Sequence, residues 1–295
     1  MLASVLASCG GRGESSGDGA VSAVATYSIL GDLVENVGGQ NVELTTLVGP
    51  DADAHTFEPA PSDNAGLAEA DVVFENGLGF ETWLGELYRS SGSNAERVVV
   101  TEDVDPMPLI EEDHGHEPRE YDPHVWHDPA NAVVMVESIR EALTEADPEN
   151  SEAYRRNAEE YVSELDALDA DVGELVGSVP EDNRTLFTSH DTFGYFAERY
   201  GFGVDTALAS VSTEAGDPSA GETARLIEEI EASGVPAIFA ENVSNQATME
   251  NIAREAGVEL APALYTDALG GPGSAGDTYV KMMRYNVSTM AEALQ

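Results

Sequence analysis

The feature that most constrains the fold is an alternation of short apolar segments with amphipathic ones along most of the chain. In the first half we expect strands at 21–26, 42–48, 72–75 and 98–101 and helices near 29–37, 62–68 and 81–88. In the second half we expect strands at 185–188, 203–208, 237–240 and 259–263 and helices at 192–200, 220–232, 245–256 and 278–293. Such alternation is typical of parallel sheets whose strands are connected by helices. We therefore predict an α/β fold with two architecturally similar lobes.

A long helical segment separates the two sets of strands. Asp147, Pro148 and Glu149 supply an N-cap, a first-turn proline and an acidic first turn, and apolar residues then recur in steps of four and three as far as Val179. A helix over 148–178 would be about 45 Å long. Because a packed helix resists bending, we expect only small domain motion. The predicted division is a tether at 1–19, a lobe at 20–147, this helix, and a lobe at 179–295.

The chain is strongly acidic. It has 56 acidic and 13 basic residues, for a formal charge of −43, and Lys281 is its single lysine. This charge would repel nucleic acid and anionic lipid, which excludes them as partners. Self-repulsion of this size fades at about 1 M salt, where the Debye length is about 3 Å. The composition therefore indicates a halophile, and we expect a halophilic archaeon.

Cys9 is the only cysteine, so the sequence excludes an intrachain disulfide and a thiolate metal cluster. It ends a short apolar run and precedes a polar stretch rich in glycine and serine. This pattern is typical of a lipoprotein signal, with Cys9 lipidated and the following stretch acting as a tether. It predicts an extracellular protein anchored to the outer face of the cytoplasmic membrane. The alternative is an ordinary N-terminal segment that contains a cysteine by chance.

Three polar residues follow predicted strands at the points where the strands end. His55 comes after the strand ending at residue 48, His190 directly follows the strand at 185–188, and Asp267 follows the last strand. The carboxyl ends of parallel strands are where such sheets form ligand sites. Imidazoles and a carboxylate together make a plausible tetrahedral set for Zn²⁺. The sequence therefore predicts a metal site built from these residues.

A fourth ligand is expected in the segment YDPHVWHDP. Asp128 and Pro129 are suited to cap and begin a helix, which leaves His124 in the preceding loop, pointing inward. His127 could chelate together with His124, or it could stand at the helix entrance in a structural role. We favour the structural role for His127, which makes His124 the fourth ligand.

Taken together, the segments DAHTFEP, YDPHVWHDP, SHDTFGYFAERYG, ENVSNQATMENIAREAGV and TDALGGPGSAGDTYVKMMRYN resemble the zinc- and manganese-binding solute-binding lipoproteins of ABC metal importers. The resemblance covers nearly everything after the tether. It implies two Rossmann-like (β/α)₄ lobes joined by a rigid helix, and a monomer that delivers metal to a membrane permease with its cytoplasmic ATPase. By motif position it implies the metal ligands His55, His124, His190 and Asp267. Glu241 and Glu58 match acidic positions with supporting roles.

The same resemblance has two departures that bear on the metal. The position held by His127 is commonly apolar in the family, which leaves open an extra ligand. The acidic loop with His114 and His116 resembles the histidine-rich loop of zinc-specific members but is very short, so it could collect Zn²⁺ weakly or simply be solvated. Three histidines and one aspartate favour Zn²⁺, and Mn²⁺ remains the alternative because members with this ligand set also take manganese.

Two other classes of function are alternatives to metal transport. A zinc-dependent hydrolase would use Glu241 or Glu214 as general base, but the sequence contains neither a His-Glu-x-x-His motif nor a nucleophile elbow. A surface adhesin stabilised by a bound metal is the third possibility. We therefore predict a binding protein and not an enzyme.

Overall fold

The computed structural model describes residues 19–108, 121–205, 219–244 and 246–295. Its N-terminal half contains a four-stranded parallel sheet in the order β2-β1-β3-β4. The strands are β1 (Val21–Tyr27), β2 (Val42–Val48), β3 (Val72–Glu75) and β4 (Glu96–Val99). The helices between them are α1 (Ser28–Gly38), α2 (Pro61–Glu69) and α3 (Leu84–Ser91).

The first three strands lie where the sequence placed them, within one residue. The fourth was expected at 98–101 but spans Glu96–Val99, so that expectation was wrong by two residues. The apolar run continues past the end of the strand because Val100 is buried in the core. Thr101 then donates its hydroxyl hydrogen to the Asn76 carbonyl, at 2.6 Å, in a turn. Burial alone therefore does not mark the end of this strand.

Two helices connect the halves: α4 (Pro129–Ala146) and α5 (Ser151–Val176). The Asp128 side chain caps α4 by accepting the Ala130 N–H, as the sequence predicted. The long helix was expected to begin at Pro148, but Pro148–Asn150 forms a 3₁₀ turn and α5 starts after it. The 26 residues of α5 span about 39 Å. Its buried residues follow the predicted stripe as far as Val172, after which Val176 is buried in place of Leu175: Tyr154, Ala158, Tyr161, Leu165, Leu168, Val172 and Val176.

The C-terminal half repeats the alternation. Its strands are β5 (Thr185–Phe187), β6 (Gly203–Asp205), β7 (Ala237–Glu241) and β8 (Glu259–Leu264), and its helices are α6 (Gly194–Tyr200), α7 (Ala220–Ser233), α8 (Gln246–Ala256) and α9 (Tyr279–Ala293). Strands β5 and β6 pair in parallel, as do β7 and β8, and a bridge between Thr188 and Phe239 joins the two pairs. The α/β fold with parallel sheets and a long helix is therefore confirmed.

Helix α5 packs against α4, α1 and α9. It thus contacts both halves of the molecule. The last helix, α9, also contacts α1 of the first half. The division of the chain at 147 and 178 stays a prediction. No helix in the described ranges is both long and apolar enough to cross a membrane.

Asp32 of α1 lies where α1, α5 and α9 meet. Its Oδ2 accepts the backbone N–H of Tyr279, at 3.1 Å, and the hydroxyl hydrogen of Tyr161, at 3.2 Å. Burial raises the pKa of Asp32 to about 6, against these two hydrogen bonds, which lower it. One carboxylate therefore connects three helices, at a cost in desolvation when it is charged.

We expect Asp32→Asn to stabilise the protein at pH 8 and to have no such effect at pH 4. The folded-state pKa lies above the ordinary value of 3.8, so the stability contributed by the protonated group is lost as pH rises through about 6. The asparagine oxygen can accept both hydrogen bonds. We expect a gain of about 1–3 kcal/mol at pH 8, or a few degrees in melting temperature, measurable by calorimetry.

Glu35→Gln is the matched control, because it removes an exposed charge from the same helix. It should change the melting temperature little at either pH. A loss of stability in Asp32→Asn at both pH values would contradict this account of Asp32.

Candidate metal centre

His55 and His124 come from two loops of the N-terminal half, and each follows an aspartate by two residues. The Asp53 carboxylate accepts the backbone N–H of His55, at 2.8 Å. The Asp122 carboxylate accepts the backbone N–H of His124, at 2.9 Å, and lies 2.7 Å from its Nδ1. The repeated Asp-x-His spacing is the signal that could have identified Asp122, which the sequence analysis missed. Asp122 therefore fixes both the backbone and the ring of His124.

His190 and Asp267 come from the C-terminal half, and Glu241 at the end of β7 lies behind His190. One Glu241 oxygen accepts from the Ser189 hydroxyl, at 2.7 Å, and from the His190 backbone N–H, at 2.8 Å. The other oxygen lies 2.9 Å from His190 Nδ1 and accepts from the Thr266 hydroxyl, at 3.0 Å. Glu241 is fully buried. It therefore orients the imidazole of His190, as a supporting residue would.

The structure brings all four predicted ligands together, with one ligand atom from each within 4.8 Å of the others. His124 Nε2 lies 3.3 Å from His55 Nε2 and 3.1 Å from His190 Nε2. The Asp267 carboxylate oxygens lie 3.5, 3.7 and 3.6 Å from the Nε2 atoms of His55, His124 and His190. Tetrahedral coordination with bonds of about 2.0–2.2 Å places ligand atoms about 3.3–3.6 Å apart. The measured distances of 3.1–3.7 Å bracket this range, so the cluster has the size to hold one Zn²⁺-sized ion.

The hydrogen-bond partners of the rings favour a cation at the centre of this cluster. A carboxylate beside Nδ1 of His124 and of His190 places the N–H of each neutral ring there, so each Nε2 carries a lone pair. Two such lone pairs 3.1 Å apart repel unless a cation or a shared proton lies between them. In the described ranges, the buried Oδ2 of Asp267 receives no hydrogen bond. These are the groups that a metal ion would satisfy.

The electrostatics of the site favour positive charge. Burial by itself lowers the pKa of His190, but the negative charges of Asp267 and Glu241 outweigh it and raise the pKa to about 10. For Asp267 the effects are reversed. Burial by itself would raise its pKa, but His190 and His124 hold the pKa well below its ordinary value. For His55, burial lowers the pKa despite the nearby Asp267 carboxylate. Asp267 is therefore a permanent anion facing the imidazoles.

His127 does not join the cluster. It is fully buried in the 3₁₀ turn before α4, with its ring centroid 4.4 Å from that of Phe193. Within the part of the chain that the structure describes, neither of its ring nitrogens has a hydrogen-bond partner. Burial lowers its pKa to about 3, so the ring is neutral at physiological pH. In this structure His127 therefore packs in the core, and its structural role stays a prediction.

Of the remaining candidates, Glu58 is exposed and, within the described ranges, makes no hydrogen bond to the four clustered residues. Cys9, His114, His116 and Glu214 lie outside the described residues.

An aromatic wall, formed by Phe80 and Trp126, closes one side of the cluster. Phe80 contacts the His55 ring with centroids 4.7 Å apart, and Trp126 lies 5.5 Å from the His124 ring. Both aromatic side chains are fully buried. The Trp126 indole N–H also donates to the Thr266 carbonyl, at 3.0 Å, and so connects the two halves beside Asp267. This wall keeps the clustered side chains in a medium of low polarity, where charge interactions are strong.

The chain matches the family model of the zinc-uptake complex component A, periplasmic, over residues 23–293. It is 36% identical to the manganese-binding lipoprotein MntA of Halalkalibacterium halodurans, with 100% of this chain and 96% of that protein covered. It is 30% identical to the manganese ABC transporter substrate-binding lipoprotein PsaA of Streptococcus mitis, with 98% and 94% covered.

Solved structures with the same fold include the periplasmic zinc-binding protein TroA from Treponema pallidum, with a TM-score of 0.82 and 32% identity over 92% of this chain and 98% of that one. A Mn-bound periplasmic metal-binding protein from Candidatus Liberibacter asiaticus has a TM-score of 0.81 and 25% identity over 92% and 99%. By name these relatives bind metal, one of them as the substrate-binding lipoprotein of a manganese ABC transporter, and none is named as an enzyme. The family match covers nearly all of the described fold, so the chain belongs to the zinc-uptake component A family of metal-binding proteins of ABC importers.

Proposed function

We propose that the protein captures one divalent transition metal ion at His55, His124, His190 and Asp267 and delivers it to the permease of an ABC importer. The observation that carries this proposal is the convergence of three Nε2 atoms and a carboxylate at tetrahedral spacing. Four protein ligands leave no open position for a substrate, unlike catalytic zinc. Glu241, the base of the alternative hydrolase, is already engaged with His190.

We propose Zn²⁺ as the tighter-bound metal and Mn²⁺ as a weaker one. Imidazole-rich sites suit zinc, and sites of this kind generally bind manganese most weakly among the divalent first-row ions. The names of the relatives include both metals, since MntA is named for manganese and TroA for zinc. The experiment is a competition titration of metal-free protein, in which we expect Zn²⁺ to bind more than about tenfold tighter than Mn²⁺. Retention of Mn²⁺ against an equal concentration of Zn²⁺ would reverse the assignment.

Delivery to a permease with its cytoplasmic ATPase is the second part of the proposal, with the protein acting as a monomer. The support is the family match and the transporter names of the relatives. With the permease and ATPase in liposomes, the metal-loaded monomer should stimulate ATP hydrolysis and metal uptake. If the metal-loaded protein stimulates neither, the result would favour the alternative function, a surface adhesin stabilised by its bound metal.

We propose that the protein acts outside the cell, anchored to the outer face of the cytoplasmic membrane through lipid on Cys9. Support comes from the sequence around Cys9 and from relatives that are named lipoproteins. Replacing Cys9 with serine should release the protein into the medium. If Cys9→Ser stays with the membrane fraction, the anchor lies elsewhere.

We also propose that the protein works in a high-salt environment. The relatives named above do not support the expected archaeal source. The described basic side chains that form ion pairs each take one or two carboxylates, as in Arg97 with Glu75 at 2.6 Å and Arg284 with Asp171 at 2.8 Å. With 56 acidic against 13 basic residues, the chain has far more carboxylates than its basic side chains can neutralise. The unfolding temperature should therefore rise steadily as KCl increases from about 0.1 to 3 M. A flat or falling profile would contradict this part.

A further inference from the structure

Asp51 lies in the loop that carries His55, with a backbone conformation that few residues other than glycine adopt. Its φ is 56°, in the left-handed region, where aspartate is better tolerated than most side chains. The contacts that hold Asp51 there come from the other half of the molecule. Its N–H donates to the Leu269 carbonyl, at 2.8 Å, and its carboxylate accepts from Asn242 Nδ2 and from the Gly271 N–H, both at 3.1 Å.

Asn242 in turn organises the loop that carries Asp267. Its side-chain oxygen accepts the Thr266 N–H, at 3.2 Å, and its amide nitrogen also donates to the Ala268 carbonyl, at 3.2 Å. Asn242 thus holds the residues on both sides of Asp267, and it directly follows Glu241, which orients His190. A hydrogen bond from Asn242 to Asp51 therefore connects the loop of His55 to the supports of two ligands from the opposite half.

We propose that Asp51, Asn242 and residues 268–271 form an interlobe clasp that slows the release of metal from the centre. The inference rests on the proposed function and adds a positioning role for Asp51. The three hydrogen bonds of Asp51 described above all join the two halves, so separating the halves breaks them together. Asp51 is exposed at the surface of this junction. Water replaces its bonds when the clasp opens, so their combined effect is modest.

In this proposal Asp51 slows metal release through its carboxylate, and it is not itself a ligand of the metal. The carboxylate contacts hydrogen-bond donors of the opposite half, whereas the four ligand atoms face one another deeper in the protein. Another interlobe bond, from the Leu269 N–H to the Ser28 hydroxyl at 2.9 Å, is buried nearby and does not involve Asp51. Removing the carboxylate therefore loosens the junction at its outer edge and leaves this inner contact in place.

The test is the rate of metal release from Asp51→Gly in the full chain. Glycine adopts the left-handed conformation without strain and keeps the backbone bond to Leu269, so only the carboxylate is lost. Zn²⁺-loaded protein is mixed with excess chelator in a stopped-flow instrument. We expect release to be about tenfold faster, from two hydrogen bonds of ordinary net strength. The association rate and the melting temperature of the metal-free protein should stay unchanged.

Two controls separate the clasp from simple loss of charge near a cation. Asp51→Asn keeps the side chain and its tolerance of the left-handed region but removes the charge, so it should give an intermediate increase at low salt. A double-mutant cycle with Asn242→Ala tests the contact itself, because Asn242 is neutral. The two substitutions together should accelerate release by less than the product of their separate effects.

The outcomes distinguish the clasp from the proposed function. If the unaltered protein binds one Zn²⁺ but Asp51→Gly releases it at the same rate, the clasp is wrong and the function stands. Separate effects that multiply in the double variant would also overturn the clasp. If the unaltered protein binds no metal at this centre, both are wrong.

Discussion

Replacing His190 with alanine should weaken Zn²⁺ binding by more than about 100-fold, since loss of a residue that merely orients a ligand costs 10–100-fold. The substitution removes one of four ligand atoms, and the described cluster offers no other imidazole in its place. The fold should survive, because Glu241 keeps its bonds from the hydroxyl groups of Ser189 and Thr266. The measurement is a titration against a chromophoric chelator, together with the melting temperature of the metal-free protein.

His127→Leu is the matched control for this substitution. His127 is as deeply buried as any ligand, but its ring packs on Phe193 and no hydrogen bond to its nitrogens is found in the described ranges. Leucine fills a similar volume without a buried polar group, so affinity should stay within about twofold and stability should hold or rise. A large loss of affinity in His127→Leu, or an unchanged affinity in His190→Ala, would contradict the assignment of the ligands.

Metal binding at pH 7 should release about one proton per ion and should weaken steeply in acid. In the metal-free protein Asp267 and Glu241 raise the pKa of His190 to about 10, against the effect of burial. Below that pH the proton must leave before Nε2 can bind a metal, so each unit of acidification costs about tenfold in affinity. Between pH 8 and pH 6 the loss should therefore be about 100-fold from His190 alone. Calorimetry in buffers of different ionisation enthalpy measures both quantities.

Glu241→Gln is the informative variant for this pH dependence. It removes one of the two carboxylates that raise the pKa of His190 while keeping a side chain that can accept the Nδ1–H. Proton release at pH 7 should fall below that of the unaltered protein, and the affinity should change less steeply with pH. Binding that releases no proton and has the same affinity at pH 6 and pH 8 would contradict the electrostatic account of the site.

The proposed ligands that follow strands were predictable because the sheet topology brings them together. His190 and Asp267 occupy the carboxyl ends of parallel strands, and that edge of a sheet is where side chains from distant parts of the chain meet. Strands β1 and β3 were placed well because they are buried almost throughout, which leaves a continuous apolar run. The end of β4 was misplaced because Val100 remains in the core beyond the strand.

The choice between His124 and His127 was harder to make from sequence. The two residues share one loop, and the 3₁₀ turn at 125–127 decides which ring faces the rest of the cluster. Asp122 was overlooked although it lies only two residues from His124. Asp51 was out of reach of local patterns, because its side-chain partners lie 191 and 220 residues away along the chain. Contacts between the two halves are set by how the halves pack, which single segments do not encode.

The most direct test of the proposed centre is a crystal structure of the Zn²⁺-loaded protein, with the ion located by anomalous scattering at the zinc absorption edge. We predict a single strongly bound ion, held by the Nε2 atoms of His55, His124 and His190 and by the carboxylate of Asp267, with bonds of about 2.0–2.2 Å. His127 should remain packed against Phe193. An ion bound through His127 in place of His124, or a strongly bound ion at any other group of residues with this cluster left empty, would contradict the account.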